Sequence, residues 1–408
     1  MANRPYPVIT VNEKAARSLR AGHPWVYGAE TSGPDRPCQN GDLVDVVSQK
    51  GRWLGTGLYN NHSKILVRLL SRNTNDRFDQ GFWRRRLRYA LDYRKTVMGP
   101  DYACCRLIFG EADQFPGLTV DRFGDILVTE VLSLGMEVRK DLLYPLLVDL
   151  LREDGVTVRA IYERSDSPLR DKEGLPKVTG FYPLPGLATD LDGHLLLEEN
   201  GIRYDVDYIH GQKTGFFLDQ KYNRRAAAAL APGRKVLDCF THTGAFALNC
   251  AQAGAAQVTA VDISQEAVAL TRRNAALNGL EGKVEARQAD VFDLLTQLAQ
   301  AGGHPYDYII LDPPAFTKSG ATVKNAFRGY KEINYKAMKL LPRGGYLATC
   351  SCSHFMTPAL FCQMLREAAA DAAVSLRQIA DRRQAPDHPI LWGVPETEYL
   401  KFYLFQVI

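Results

Sequence analysis

The chain has 408 residues, too many for one ordinary core, so two or three domains are expected. A net charge of only +4 excludes a wholesale polycation, and any surface for nucleic acid has to be local. Membrane-length apolar runs are absent, Met1-Ala2-Asn3-Arg4-Pro5 lacks a signal-peptide core, and 8 cysteines without zinc-ribbon spacing point to reduced thiols in a cytoplasmic, metal-free protein.

Residues 1–72 read as short strands with turns: Val8-Ile9-Thr10-Val11, the alternating Gly41 to Val47, Trp53 to Tyr59 and Ile65 to Leu70, with a short helix from Lys14 to Arg20. A helix carrying Arg84-Arg85-Arg86-Leu87-Arg88 is expected over Asp79 to Val97. Strands follow near Leu107, at Leu118-Thr119-Val120 and at Ile126 to Thr129, then a helix from Val138 to Arg152 and a strand from Val158 to Tyr162. Asp166 to Leu187, rich in Pro, Gly and charge, reads as a loop. From about residue 233 the pattern turns to strand, helix, strand, helix. The strands end at Asp238, Asp262, Ala289, Asp312 and Cys350, and Tyr399 to Val407 closes the series. That alternation means an α/β fold with a mostly parallel, doubly wound sheet.

Strand ends of such sheets are where ligands bind. The first turn, Asp238-Cys239-Phe240-Thr241-His242-Thr243-Gly244, offers small and hydroxylated residues at a helix start but no Gly-x-Gly-x-x-Gly fingerprint. Asp262 stands where a carboxylate commonly accepts from a ribose, with Ile263 beside it. Asp290, followed by Val291, can accept from an adenine amine. The alternative for each acid is a helix cap, and it is the stronger alternative at Asp290. Three acids at successive strand ends fit a nucleoside ligand without phosphates, and S-adenosylmethionine, with its cationic sulfonium, is such a ligand.

The fourth and fifth strand ends carry Asp312-Pro313-Pro314-Ala315-Phe316 and Cys350-Ser351-Cys352-Ser353. An acid and a flat aromatic at one tip, with two thiols at the other, suit a planar electron-poor ring that sulfur can attack, and a pyrimidine fits best. A thiolate adding to C6 of cytosine makes C5 nucleophilic toward a methyl donor. Asp312 is the candidate partner of the cytosine amine or N3, and Phe316 the candidate stacking platform.

The run His210-Gly211-Gln212-Lys213-Thr214-Gly215-Phe216-Phe217-Leu218-Asp219-Gln220, Val236 to Phe246, and these two tips resemble bacterial S-adenosylmethionine-dependent large-subunit (23S) rRNA methyltransferases. That family makes 5-methylcytosine and carries an N-terminal PUA domain. Gly22-His23-Pro24-Trp25-Val26 and Gly41-Asp42-Leu43-Val44 are similar to its PUA segment, and Gly110 to Asp113 with Pro116 to Arg122 to its middle domain. The resemblance implies a PUA-like RNA-binding domain over 1–74, an α+β middle domain over 75–190 and a Rossmann-like class I methyltransferase domain over 191–408 with an antiparallel last strand. It also implies cofactor contacts from Gln212, Lys213, Thr214 and Asp219, added to Asp238, Phe240, Thr241, Gly244, Asp262, Ile263, Asp290 and Val291. Pro313, Pro314 and Phe316 are the candidates for holding the base. Arg84 and Arg88 are candidates for phosphate, with a solvated charged face as their alternative.

The choice of nucleophile stays open. The string Thr349-Cys350-Ser351 matches the Thr-Cys-Ser of related cytosine methyltransferases and favours Cys350, whereas the resemblance, through where that family places its cysteine after a Gly-Gly such as Gly344-Gly345, and nearness to the helix start at Thr357-Pro358 favour Cys352. Two other functions compete with cytosine-C5 methylation: methylation of a base nitrogen, for example in guanine, without a thiol, and RNA binding without catalysis. RNA is the expected partner, and a homodimer is compatible with the reading.

Overall fold

A computed structural model describes residues 4–317 and 319–408; Met1–Asn3, part of the stretch read for a signal peptide, lie outside the described residues. The chain forms two compact units. One runs to Leu195 and includes Val206–Leu218 and Pro386–Thr397; the other joins Leu196–Asp205, Asp219–Ala385 and Glu398–Ile408.

The first unit holds two sheets. A six-stranded sheet runs Trp25–Tyr27, Ile65–Ser71, Trp53–Tyr59, Leu43–Ser48, Val8–Val11, Thr31–Pro34 from edge to edge. Alternating apolar residues such as Ile9, Val11, Val44, Val46 and Val67 point to one core, which the helix Glu13–Arg20 closes with Ala15, Ala16 and Leu19. Asn12 starts that helix by accepting from the Ala15 N–H at 2.9 Å. Gly57 is required in this sheet, because a Cβ there would stand 2.5 Å from the Arg68 carbonyl oxygen. A five-stranded sheet follows in the order Val178–Phe181, Ala160–Ser165, Ile126–Val131, Leu118–Phe123, Cys104–Phe109, and the unit also contains the helices Gln80–Met98 and Lys140–Glu153. The stretch expected to be a loop thus contains a short turn of helix, Pro168–Glu173, and the edge strand Val178–Phe181. That strand has only four residues and is bonded on one side, so it lacks an apolar signature.

The second unit is built on a seven-stranded sheet in the order Val284–Gln288, Gln257–Asp262, Lys235–Cys239, Tyr308–Leu311, Tyr346–Ser351, Lys401–Val407, Leu376–Arg382. The first five strands are mutually parallel, and Lys401–Val407 runs antiparallel to both its neighbours. All four residues of Tyr308–Leu311 are buried, as expected for a central strand with helices on both faces. Leu376–Arg382 is a strand the sequence pattern did not suggest: it is an edge strand and mostly solvated, so polar residues replace the alternation. The strands His194–Glu199 and Ile202–Asp207, joined through Asn200-Gly201, form a further two-stranded sheet.

Candidate active site

The turn after Lys235–Cys239 is bent sharply. Phe240, His242 and Gly244 all have positive φ, at 63°, 52° and 80°. Two non-glycine residues in that region are a strain that sites tolerate when surrounding bonds enforce it. Here Asp238 and Asp262 supply those bonds. Asp238 is fully buried and its Oδ2 accepts from the Thr241 hydroxyl at 2.5 Å and the Ala247 N–H at 3.0 Å. Asp262 accepts from the His242 N–H at 2.9 Å and the Ser264 N–H at 3.0 Å. Ser264, not Asp262, caps the helix Gln265–Leu277. Asp262 thus fastens one turn to the next. Asp290 caps the helix Val291–Ala301 through Oδ1, which accepts from the Phe292 and Asp293 N–H groups at 2.7 and 3.3 Å.

These residues fit S-adenosylmethionine. The Asp238 Oδ1 is buried with no hydrogen-bond partner among the described residues, which leaves an acceptor open to a ligand. Burial, and next the charge of Asp312, push its carboxyl up to about 7, a state that a cationic ligand would relieve. Ile263, 65% exposed, offers an apolar face beside Asp262, whereas Val291 is buried and acts through packing.

The residues expected to meet the methyl acceptor lie at the tips of Tyr308–Leu311 and Tyr346–Ser351. Asp312 keeps some exposed surface, yet its carboxyl is largely desolvated: burial, then the charge of Asp219, raise it to about 7. Gln220 donates to Asp312 Oδ1 at 3.1 Å, and Asn223 in turn donates to Gln220 at 2.7 Å. Asp219 accepts from the Tyr399 hydroxyl at 2.6 Å, and its other oxygen is buried without a partner among the described residues. Phe316 leans on Tyr330 with ring centroids 4.5 Å apart and on Phe292 at 5.9 Å, and Gly329 gives it room, since a Cβ there would meet the ring at 3.3 Å. Pro313 is buried and Pro314 exposed.

The two thiols differ in surroundings. Cys350 is fully buried and hydrogen-bonded to Asp312 and Gln220; burial first, then the Asp312 charge, drive its thiol well above the ordinary range. Cys352 lies past the strand end and is half-buried. Its neighbours Ser351 and Ser353 are anchored, to the Tyr330 hydroxyl at 3.1 Å and the Thr317 carbonyl at 2.7 Å.

Gln212, Lys213 and Thr214 belong to the first unit. Gln212 and Lys213 are exposed, while Thr214 is buried and donates to Asp121 at 2.5 Å. Arg84 and Arg88 are held by acids of the same unit: Arg84 pairs with Glu153, and Arg88 with Asp154 at 2.7 Å and Glu153 at 3.0 Å. Sequence reasoning missed Tyr330, Lys401 and the role of Gln220 beside Asp312. Lys401 left one signal, a charge opening the otherwise apolar run Phe402-Tyr403-Leu404-Phe405.

The sheet order, the acid-anchored turn after its central strand and the orphaned acceptor define a class I S-adenosylmethionine-dependent methyltransferase. Comparison with known proteins agrees. Residues 189–406 match the family described as S-adenosylmethionine-dependent methyltransferase, and residues 9–72 match a PUA-like domain. Ribosomal RNA large subunit methyltransferase I of Shewanella denitrificans is 42% identical over 94% of this chain and 95% of its own length. The protein of the same name from Klebsiella pneumoniae is 37% identical over 100% of both chains. A solved methyltransferase complexed with S-adenosylhomocysteine has the same fold, with a TM-score of 0.82 at 21% identity over 98% of this chain and 99% of its own. The chain belongs to the ribosomal RNA large subunit methyltransferase I family, and S-adenosylmethionine is its cofactor. Among the described residues no helix is long and apolar enough to cross a membrane, and no cluster of side chains could hold a metal ion.

Proposed function

We propose that this protein methylates carbon 5 of a cytosine in large-subunit ribosomal RNA, in the cytoplasm, with Cys352 as nucleophile. The observation that carries this reading is the half-buried Cys352 thiol just past the tip of Tyr346–Ser351, with the raised acid Asp312 on the neighbouring strand tip. A base-nitrogen methyltransferase has no use for that thiol. The names of the relatives supply the RNA class, and the PUA-like domain is the candidate for positioning it.

Bound S-adenosylmethionine supplies the electrophilic methyl group. The protein does the rest. Asp238 and Asp262, with the loop they brace, hold the cofactor; Gln220 and Asp312 meet the N3 and amine edge of the extruded base. Cys352 forms a bond to C6, the C5=C6 pair moves toward N3, and neutral Asp312 donates a proton there. After methylation a water molecule takes the C5 proton, the C5–H electrons restore the C5=C6 bond, and the Cys352–C6 bond breaks with its pair leaving on the thiolate. An Asp312 that is half-protonated near neutral pH suits both giving and retaking that proton. Cys350, buried and bonded to Asp312, orients the acid.

Single Cys352→Ala and Cys350→Ala variants, assayed on unmethylated large-subunit RNA with mapping of 5-methylcytosine, test this. Cys352→Ala is expected to abolish methylation and Cys350→Ala to retain it in part. Full activity in the double variant would sink the covalent route and favour nitrogen methylation.

A further inference from the structure

Lys401 opens the closing strand and is almost wholly buried, at 1% exposure. Its register partner is Ser351, the residue before Cys352. Its ammonium donates to the Ser353 carbonyl at 2.6 Å and to the Tyr399 carbonyl at 2.7 Å. It is therefore strapped across the short segment on which Cys352 sits, bonded just beyond the thiol and paired just before it. A lysine ammonium has three N–H donors, and these carbonyls take two. A buried ammonium is kept only where negative charge or acceptors compensate its lost hydration. Burial brings Lys401 down to about 8; Cys352 is the largest influence opposing that fall, ahead of Glu398, and Arg383 adds to it.

We propose that Lys401 is the positioning residue that holds Cys352 as its thiolate before the base arrives. The assignment rests on the reading of Cys352 as nucleophile. An ammonium beside a thiol favours the ionised form, which is the reactive one. Among the described residues, other titratable groups whose charge is coupled to the thiol include Tyr330, from the helix Val323–Leu340, and Cys350, from its own strand. Both titrate above their usual ranges and stay neutral around pH 7, so neither replaces the cation. Arg383 is engaged with Glu398 at 2.8 Å and with Asp381.

The test is peptide-resolved alkylation of Cys352 by iodoacetamide on the full chain, without RNA, across pH. In the wild type the midpoint is expected below the free-thiol value of about 8.5. Lys401→Met should raise it by about one unit and slow alkylation at pH 7 about tenfold, while Lys401→Arg should keep it low. A wild-type midpoint at or above about 8.5, or a Lys401→Met profile that superimposes on the wild type, would overturn the assignment. If Lys401→Met does not fold by circular dichroism, the wild-type midpoint and the arginine variant decide. The readout needs no methyl transfer, so the two ideas fail separately. Full methylation by Cys352→Ala would overturn the nucleophile alone. An unmoved midpoint beside an inactive Cys352→Ala would overturn Lys401 alone.

Discussion

Asp238→Asn probes the cofactor site through its proton. The buried carboxyl is raised from 3.8 to about 7, a difference of about three units, or roughly 4 kcal/mol disfavouring its ionised form in the free enzyme. A cationic ligand binds the ionised form better, so its affinity follows the ionised fraction. With a midpoint at about 7, roughly half the molecules are ionised at pH 7 and about 3% at pH 5.5. The Kd of S-adenosylmethionine should then weaken about 15-fold between those values, with close to one proton released on binding at the lower pH. Isothermal calorimetry in buffers of different ionisation enthalpy measures both. Asn keeps the shape and the Thr241 bond but cannot ionise, and it should show weak binding with a flat pH profile. A wild-type Kd that is the same at both pH values, or an Asn variant with the wild-type slope, refutes the reasoning.

The same carboxyls set the stability of the cofactor-free protein. Asp238 and Asp312 have folded pKa values above the unfolded 3.8. The fold therefore binds more protons than the unfolded chain between about pH 4 and pH 7, so stability should fall with rising pH across that window and level off above it; Asp238→Asn should lessen the fall in a denaturant series. Arg224 and Glu199 form a buried bidentate pair at 2.7 and 3.0 Å, and Arg224→Met, which strands Glu199, should cost about 3–5 kcal/mol in chemical denaturation. A loss below about 1 kcal/mol would show that the carboxylate finds other partners. Gly57→Val places a side chain against the Arg68 backbone and should destabilise by at least about 1–3 kcal/mol, read as a lowered Tm.

What could be read beforehand follows from how local each signal is. Tyr308–Leu311 and Lys235–Cys239 are buried on both faces, so they stand out as apolar runs, and their alternation with helices led directly to the sheet. The placing of Asp238, Asp262 and Asp312 at or just past strand ends was legible, and such ends are where ligands of these sheets bind. The edge strands Leu376–Arg382 and Val178–Phe181 were not, because solvent takes one face and one row of bonds. Gln220, Tyr330 and Lys401 reach the thiol tip from three separate parts of the chain, and nothing in their local sequence announces a neighbour so distant along it. The different settings of Cys350, inside a strand, and Cys352, beyond its end, could not be read from their spacing.

The strand order also dictates a sequence of events in time. Leu376–Arg382 is made before Lys401–Val407 but has no other partner in the sheet, and the later strand must slide in between it and Tyr346–Ser351. Until that happens, two strand edges are open and the turn bearing Cys352 lacks its buried ammonium. A chain released short of Lys401 would lack the strand that joins these two and would keep both edges open to pairing with other chains.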